Sequence, residues 1–199
     1  TQDTFKVDGG GAVQVFGGTV LFGEISGQEM LGRYPRVSFS ADASGIDLGQ
    51  VTRTFGFGEM DGIVEGWVRP MQLFGGVPVA FDAEVRTVPT PGVPRRITVK
   101  AINNVAVLGT GGRITVFDRG LQRFFKRYTY DRLGIRMTLK DDVFQLRGLE
   151  HRGAKELFLK GRLPLPIDVV NAQPGHTVSF RSMMDRFSAI DLEKVHVGK

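Results

Sequence analysis

From Val77 to Arg86 the chain alternates without a slip. Val77, Val79, Phe81, Ala83 and Val85 share one face, and Pro78, Ala80, Asp82, Glu84 and Arg86 share the other. A period of two predicts a strand with one dry side and one wet side. Gly75-Gly76 separates it from Met71 to Phe74, so a tight hairpin is expected there. Much of the chain repeats this device. Arg36 to Ser44 sets Val37, Phe39, Ala41 and Ala43 against Ser38, Ser40, Asp42 and Ser44. Gln14-Val15-Phe16-Gly17-Gly18 and Gln72-Leu73-Phe74-Gly75-Gly76 read as two copies of one hairpin. Met60 to Arg69 places Gly62, Val64, Gly66 and Val68 opposite Ile63, Glu65, Trp67 and Arg69, with Trp67 as a packing anchor. Ile97 to Leu108 reads as a strand bent at Asn103-Asn104. Ile135, Met137 and Leu139 line one face of a later strand, followed by Val143 to Gly148 and Glu156 to Arg162.

Three segments change period. Leu48, Val51 and Phe55 recur at helical spacing, with Asp47 as N-cap. Asp118 to Arg127 and Thr177 to Ile190 also carry helical apolar stripes. The pattern predicts a mainly β chain: one domain over residues 1–199, an antiparallel sheet of ten or more strands, and about three short amphipathic helices. A dozen strand side chains left wet would forfeit roughly 1.5–3 kcal/mol each. Their sum exceeds the roughly 5–15 kcal/mol by which a domain is stable. The dry face must therefore be covered, by the sheet folding over, by the helices, by a partner or by lipid.

Composition narrows the class. Of 199 residues 41% are hydrophobic, which excludes disorder, and no apolar run is long enough to cross a bilayer as a helix. Cysteine is absent, which removes disulfides and thiol nucleophiles. The chain begins Thr-Gln-Asp and is expected to be a processed chain or part of a longer one. The formal charge of +5 is concentrated. Between Arg113 and Arg136 seven cations face only Asp118 and Asp131, with Phe117, Phe124, Phe125, Tyr128 and Tyr130 interleaved. That mixture suits a membrane surface or anionic headgroups. It also suits nucleic acid, or the solvated back of a core-facing stripe.

Catalytic constellations are missing. There is no Gly-x-Ser-x-Gly elbow and no phosphate-binding loop. Gly56 to Gly62 departs from the dinucleotide spacing and precedes a strand. His151, His176 and His196 lack metal-ligand spacing, and Asp141-Asp142 reads as a hairpin turn. An enzyme is not expected, nor are a cofactor, a metal or a nucleic-acid partner.

The order of elements carries a resemblance. A helix from Asp47-Leu48 to Phe55 is followed by Gly56-Phe57-Gly58-Glu59-Met60-Asp61-Gly62-Ile63-Val64-Glu65-Gly66. Val79-Ala80-Phe81-Asp82-Ala83, Arg96-Ile97-Thr98-Val99-Lys100-Ala101-Ile102-Asn103-Asn104 and Tyr130-Asp131-Arg132-Leu133-Gly134 come later. Over most of its length the chain resembles the C-terminal region of the AsmA-like superfamily, the TamB- and YdbH-like proteins. The resemblance is one of pattern and order and carries no active-site signature. It implies a curved, taco-like sheet with an apolar groove, in an envelope protein of Gram-negative bacteria. It further implies a periplasmic location with tethering to the inner membrane in the full-length protein, and phospholipid passage between inner and outer membranes or envelope integrity. Ten strands about 4.8 Å apart span only about 50 Å, so a terminal portion of a longer bridge, or a small relative, is expected.

On this reading the partners are phospholipid acyl chains, a membrane surface and other envelope proteins. Val79, Phe81, Val99, Ile135, Met137 and Leu139 would line the groove. Arg123, Phe124, Phe125, Lys126 and Arg127 would meet headgroups or the membrane surface. The alternative is a closed-core structural domain that docks other envelope proteins through its sheet edges.

Overall fold

The computed structural model describes residues 4–7, 9–110, 126–163 and 167–184. Strands dominate them: β1 Thr4–Val7, β2 Ala12–Val15, β3 Gly18–Gln28, β4 Arg36–Asp47, β5 Met60–Asp61, β6 Ile63–Phe74 and β7 Val77–Val88. There follow β8 Arg96–Thr98, β9 Arg127–Lys140, β10 Val143–Gly148, β11 Glu150–Arg152, β12 Lys155–Gly161, β13 Val169–Val170 and β14 Thr177–Ser179. The helices are α1 Leu48–Thr54 and α2 Val99–Thr110, and a helical turn begins at 180–184. The fourteen strands form one antiparallel sheet that does not close on itself. Its main path is β1-β3-β4-β6-β7-β9-β10-β14, with β2 beside β1 on the free edge of β3.

Turn chemistry sets this register. Gly75 and Gly76 both have positive φ, as do Phe16-Gly17 and Asp141-Asp142, so three two-residue turns join β6–β7, β2–β3 and β9–β10. The repeated Gln-x-Phe-Gly-Gly strings are not equivalent. Phe74 ends a strand, whereas Phe16 lies in the turn itself and Gly18 opens β3. A Cβ at Gly18 would stand 2.4 Å from the Ser44 carbonyl oxygen, so β3 takes the second glycine that the later hairpin leaves in its turn. Gly66 answers to the same constraint, since a Cβ there would meet the Glu84 carbonyl at 2.4 Å.

Register shifts curve the sheet. β3 carries an extra residue between Phe22 and Ile25 opposite β4, and β6 does so between Val68 and Met71, at the same level. Bulges increase local bend and twist. Two of them in line with Ser40 crease the sheet about β4.

β9 joins two environments. Its C-terminal half, from Gly134, lies between β7 and β10. Its N-terminal half lies between β8 and β12. Around that second half sits the densely packed core: Met60, Ile97, Ala101, Ile102, Val105, Tyr130, Phe158, Leu159 and Val169 are all at most 2% exposed. α2 roofs this end. The sequence pattern predicted a strand here, with Val99 in the groove. The structure corrects this: Val99 begins a helix and packs against the closed core. Ala101, Ile102, Val105 and Ala106 fall at helical spacing and put one face down, while Asn104 donates to the Phe57 carbonyl at 2.6 Å. α1 forms as expected, its first turn capped by the Asp47 carboxylate, which accepts from Gly49 and Gln50 N–H.

Thr87 secures the passage between the two halves. The β7–β9 ladder ends at Arg86 opposite Gly134, and the buried Thr87 hydroxyl then accepts from the Leu133 N–H at 3.0 Å. Thr87→Val strands that N–H. A loss of about 1–3 kcal/mol in chemical denaturation is expected. A loss below about 0.5 kcal/mol would show the contact to be incidental.

Candidate functional site

Cross-strand register sorts the side chains of the broad sheet into two unlike faces. Phe22, Ala41, Val68, Ala83, Met137 and Leu146 stand opposite one another in a single row across β3, β4, β6, β7, β9 and β10. Moving one residue along each strand gives Leu21, Asp42, Trp67, Glu84, Arg136 and Arg147. Directly opposed residues point to the same side, so the first row belongs to an apolar face and the second to a polar one. Val20, Ala43, Val85 and Ile135 extend the apolar face in one direction, and Ile25, Phe39 and Met71 in the other.

The polar face is stitched by ion pairs. Arg136 binds Asp82 through two nitrogens at 2.7 and 3.0 Å, Arg86 meets Glu65 at 2.7 Å, and Arg69 meets Asp42. Trp67 lies between two guanidiniums, 5.6 Å from Arg69 and 5.4 Å from Arg136. The expected packing anchor is thus a surface residue stabilised by cations. Such pairs are worth little singly, but together they hold this face toward water.

The apolar face has no such company. Among the described residues, α2 covers it only at the end beyond Ile135, and a second cover lies at the opposite corner. There Phe81, Phe144 and Phe180 form a triangle of rings with centroids 5.6–6.2 Å apart. β14 and the helical turn at 180–184 bring Phe180 to that corner. Between these covers Phe22, Val37, Phe39, Val68, Met71 and Leu73 are half-buried beside their cross-strand neighbours. Toward the β1–β2 edge shelter fails, and Val7 and Val13 are 48% and 50% exposed.

The residues expected in the groove separate accordingly. Val79 is open, at 39% exposure, and Met137 and Phe81 are half-buried on the apolar face. Leu139 is on that face but buried at 3% beside Phe144, and Ile135 packs against the closed core. Val99 is not on the face at all. Of the basic segment, Arg123, Phe124 and Phe125 lie outside the described residues. Lys126 is exposed, and Arg127 opens β9 with its guanidinium on Glu59. Phe39 and Val68 were legible in the alternation, but Met71 joins them only through the bulge in β6, and Phe22 only through its register with Ala41.

The cover at the Phe81 corner is tied down by Asp142. Its carboxylate accepts from the Arg181 N–H at 2.9 Å and the Ser179 hydroxyl at 2.8 Å, and its carbonyl accepts from the Phe180 N–H. These donors, the Arg181 N–H first, hold the Asp142 carboxyl below the usual aspartate range. A depressed folded value means that the stabilisation is complete above the ordinary aspartate pKa, about 3.9, and is lost as pH falls through the folded value. Hydrogen exchange at residues 177–184 is therefore expected to quicken below about pH 4, after correction for intrinsic rates, while the α2 core stays protected. Corrected exchange that stays flat would refute the latch.

Among the described residues no three His, Cys, Asp or Glu side chains are grouped to hold a metal, and no helix is long and apolar enough to cross a membrane. Comparison with known proteins returns no match to a family model, a curated protein or a solved structure.

Proposed function

We propose that this chain is a non-enzymatic lipid-binding module of the AsmA-like kind, which shelters phospholipid acyl chains on the apolar face of its curved sheet. The carrying observation is that face: one unbroken apolar row across six strands, its small Ala41 and Ala83 buried and its larger side chains half-buried, with no second layer over its middle among the described residues. From β1 to β10 the path makes six inter-strand steps of about 4.8 Å, or about 29 Å. One leaflet of hydrocarbon is about 15 Å thick, so the face is about two acyl chains long. Each methylene removed from water contributes about 0.8 kcal/mol, and a largely sheltered chain gains enough to offset its ordering.

In the cell the module would act in the periplasm, tethered to the inner membrane through the full-length protein, in phospholipid transport or envelope integrity. Other envelope proteins are its natural neighbours. The test is organic extraction and native mass spectrometry of protein purified without detergent, with a liposome-to-liposome transfer assay. Bound phospholipid and accelerated transfer are expected, and the absence of both ends the reading.

One observation favours the alternative of an interaction domain with a closed core: the end beneath α2 is fully packed. That reading requires a protein partner over the rest of the face. It predicts stoichiometric pull-down of another envelope protein in place of lipid.

A further inference from the structure

At the end of β4 remote from α1 the structure holds a recess of about 450 Å³. Two cross-strand rows build it. Ser26, Ser38 and Gln72 oppose one another across β3, β4 and β6, and Gln28, Arg36 and Phe74 form the next row. Val37 and Leu73, a cross-strand pair of the apolar face, and Val79, at a register shift of β7, complete the lining. The recess therefore touches both faces of the sheet, at the place where the apolar face meets polar side chains.

Its cation stands beside aromatic rings instead of a carboxylate. Arg69, Arg86, Arg127, Arg136 and Arg152 each sit on a carboxylate. Arg36 does not. Its guanidinium lies 5.3 Å from the Phe74 ring centroid, Tyr34 stacks on Phe74 at 5.5 Å, and Arg33 lies 5.6 Å from the Tyr34 centroid. Two cations thus bracket a pair of aromatic rings, and among the described residues neither meets a carboxylate within ion-pair range. The side chains of Ser26, Ser38, Gln28 and Gln72 also make no hydrogen bond within the described structure. Stacking fixes a guanidinium while leaving its N–H edge free to bind an anion in its plane. The volume falls in the range of small-ligand sites and exceeds what a bare phosphate fills.

We infer that this recess is the head-group site of the trough, and that it selects amphiphiles whose head carries a phosphate. Arg36 supplies the charge and the Ser26–Ser38–Gln72 row supplies neutral hydrogen bonds. Val79 marks where the first acyl carbons pass onto the apolar face. This assignment rests on the lipid-binding reading above and adds the head group to it. It places an anion-binding role at Arg36, beside the one expected for the segment around Arg123, whose residues 123–125 lie outside the described ones.

The experiment compares short-chain phosphatidylglycerol, diacylglycerol of the same chains and sn-glycerol 3-phosphate, each titrated into the purified chain by calorimetry at low salt. The wild type is expected to bind phosphatidylglycerol about tenfold tighter than diacylglycerol, the size of one charge-assisted hydrogen bond, and to leave glycerol phosphate unbound. Arg36→Gln should bring the two lipids within about twofold while diacylglycerol affinity holds. Arg36 is exposed, so the variant is expected to fold, and unchanged diacylglycerol binding reports that it has. Arg36→Lys should keep part of the preference.

Four results overturn the assignment. A preference that survives Arg36→Gln places the head group elsewhere. Lipid binding by the wild type with no preference for phosphatidylglycerol removes the phosphate site and leaves the acyl trough standing. Glycerol phosphate bound as tightly as the lipid makes the recess a site for free anions. No binding of either lipid by the wild type removes the lipid reading and the head-group site together.

Discussion

Leu159→Ala is expected to lower the melting temperature by about 5–15 °C, more than any single truncation on the open apolar face should cost. Leu159 is fully buried in β12, opposite Leu133 of β9 and Val169 of β13. Truncating a buried leucine costs about 2–5 kcal/mol, because the lost transfer energy is compounded by the cavity left behind. For a domain of this size each kcal/mol shifts the transition by about 2–4 °C. The effect is large because full packing is concentrated around α2, and little elsewhere can take up the loss. Calorimetry or a denaturant melt reads it out. A shift below about 2 °C would mean that the stabilising centre lies somewhere other than beneath α2.

Phe39→Asp is expected to do the opposite: leave the fold and remove the ligand. Phe39 sits in mid-sheet on the apolar face, half-buried, its ring 5.8 Å from that of Phe22. A carboxylate in a sealed core would cost many kcal/mol. On a face reached by water it stays hydrated, and the melting temperature is expected to fall by only about 2–6 °C, for the loss of ring contact. An acyl chain crossing that spot would have to desolvate the charge, so acyl-chain affinity should fall at least about tenfold. Phe81 is a poor choice for this test. Its contacts with Phe144 and Phe180 make it part of the corner cover, and a charge there disturbs both fold and trough. Unfolding of Phe39→Asp would support the closed-core alternative.

Strand alternation and glycine turns made most of the sheet legible. The hairpin at Gly75-Gly76 and the run from Phe81 to Val85 stand where the period of two puts them, a register shift at Val79 breaks the period nearer the turn, and Asp47 caps the helix its spacing implies. The miss at Val99 to Thr110 has a physical source. Val, Ile and Ala suit both a strand and a buried helix, and only the pairs Ala101-Ile102 and Val105-Ala106, four residues apart, favour the latter. Tyr128 and Tyr130 alternate with the exposed Arg127 and Thr129, but the surrounding cations grouped them with the basic segment, and only the fold shows them buried in the closed core. Register was the harder barrier. Nothing local states that Phe22, Ala41, Val68, Ala83 and Met137 stand in one row, or that Ser26, Ser38 and Gln72 do. Both the apolar face and the Arg36 recess exist only once several separated segments are paired.

The most direct measurement of the central claim is face-specific photocrosslinking. Benzoylphenylalanine is placed at Phe39 or at its neighbour Ser40, which points to the opposite side, and the protein is irradiated after expression in cells. A phospholipid adduct at position 39 and none at position 40 is the predicted result. Adducts at neither position, at both equally, or to a protein at position 39 would contradict an apolar face kept dry by lipid.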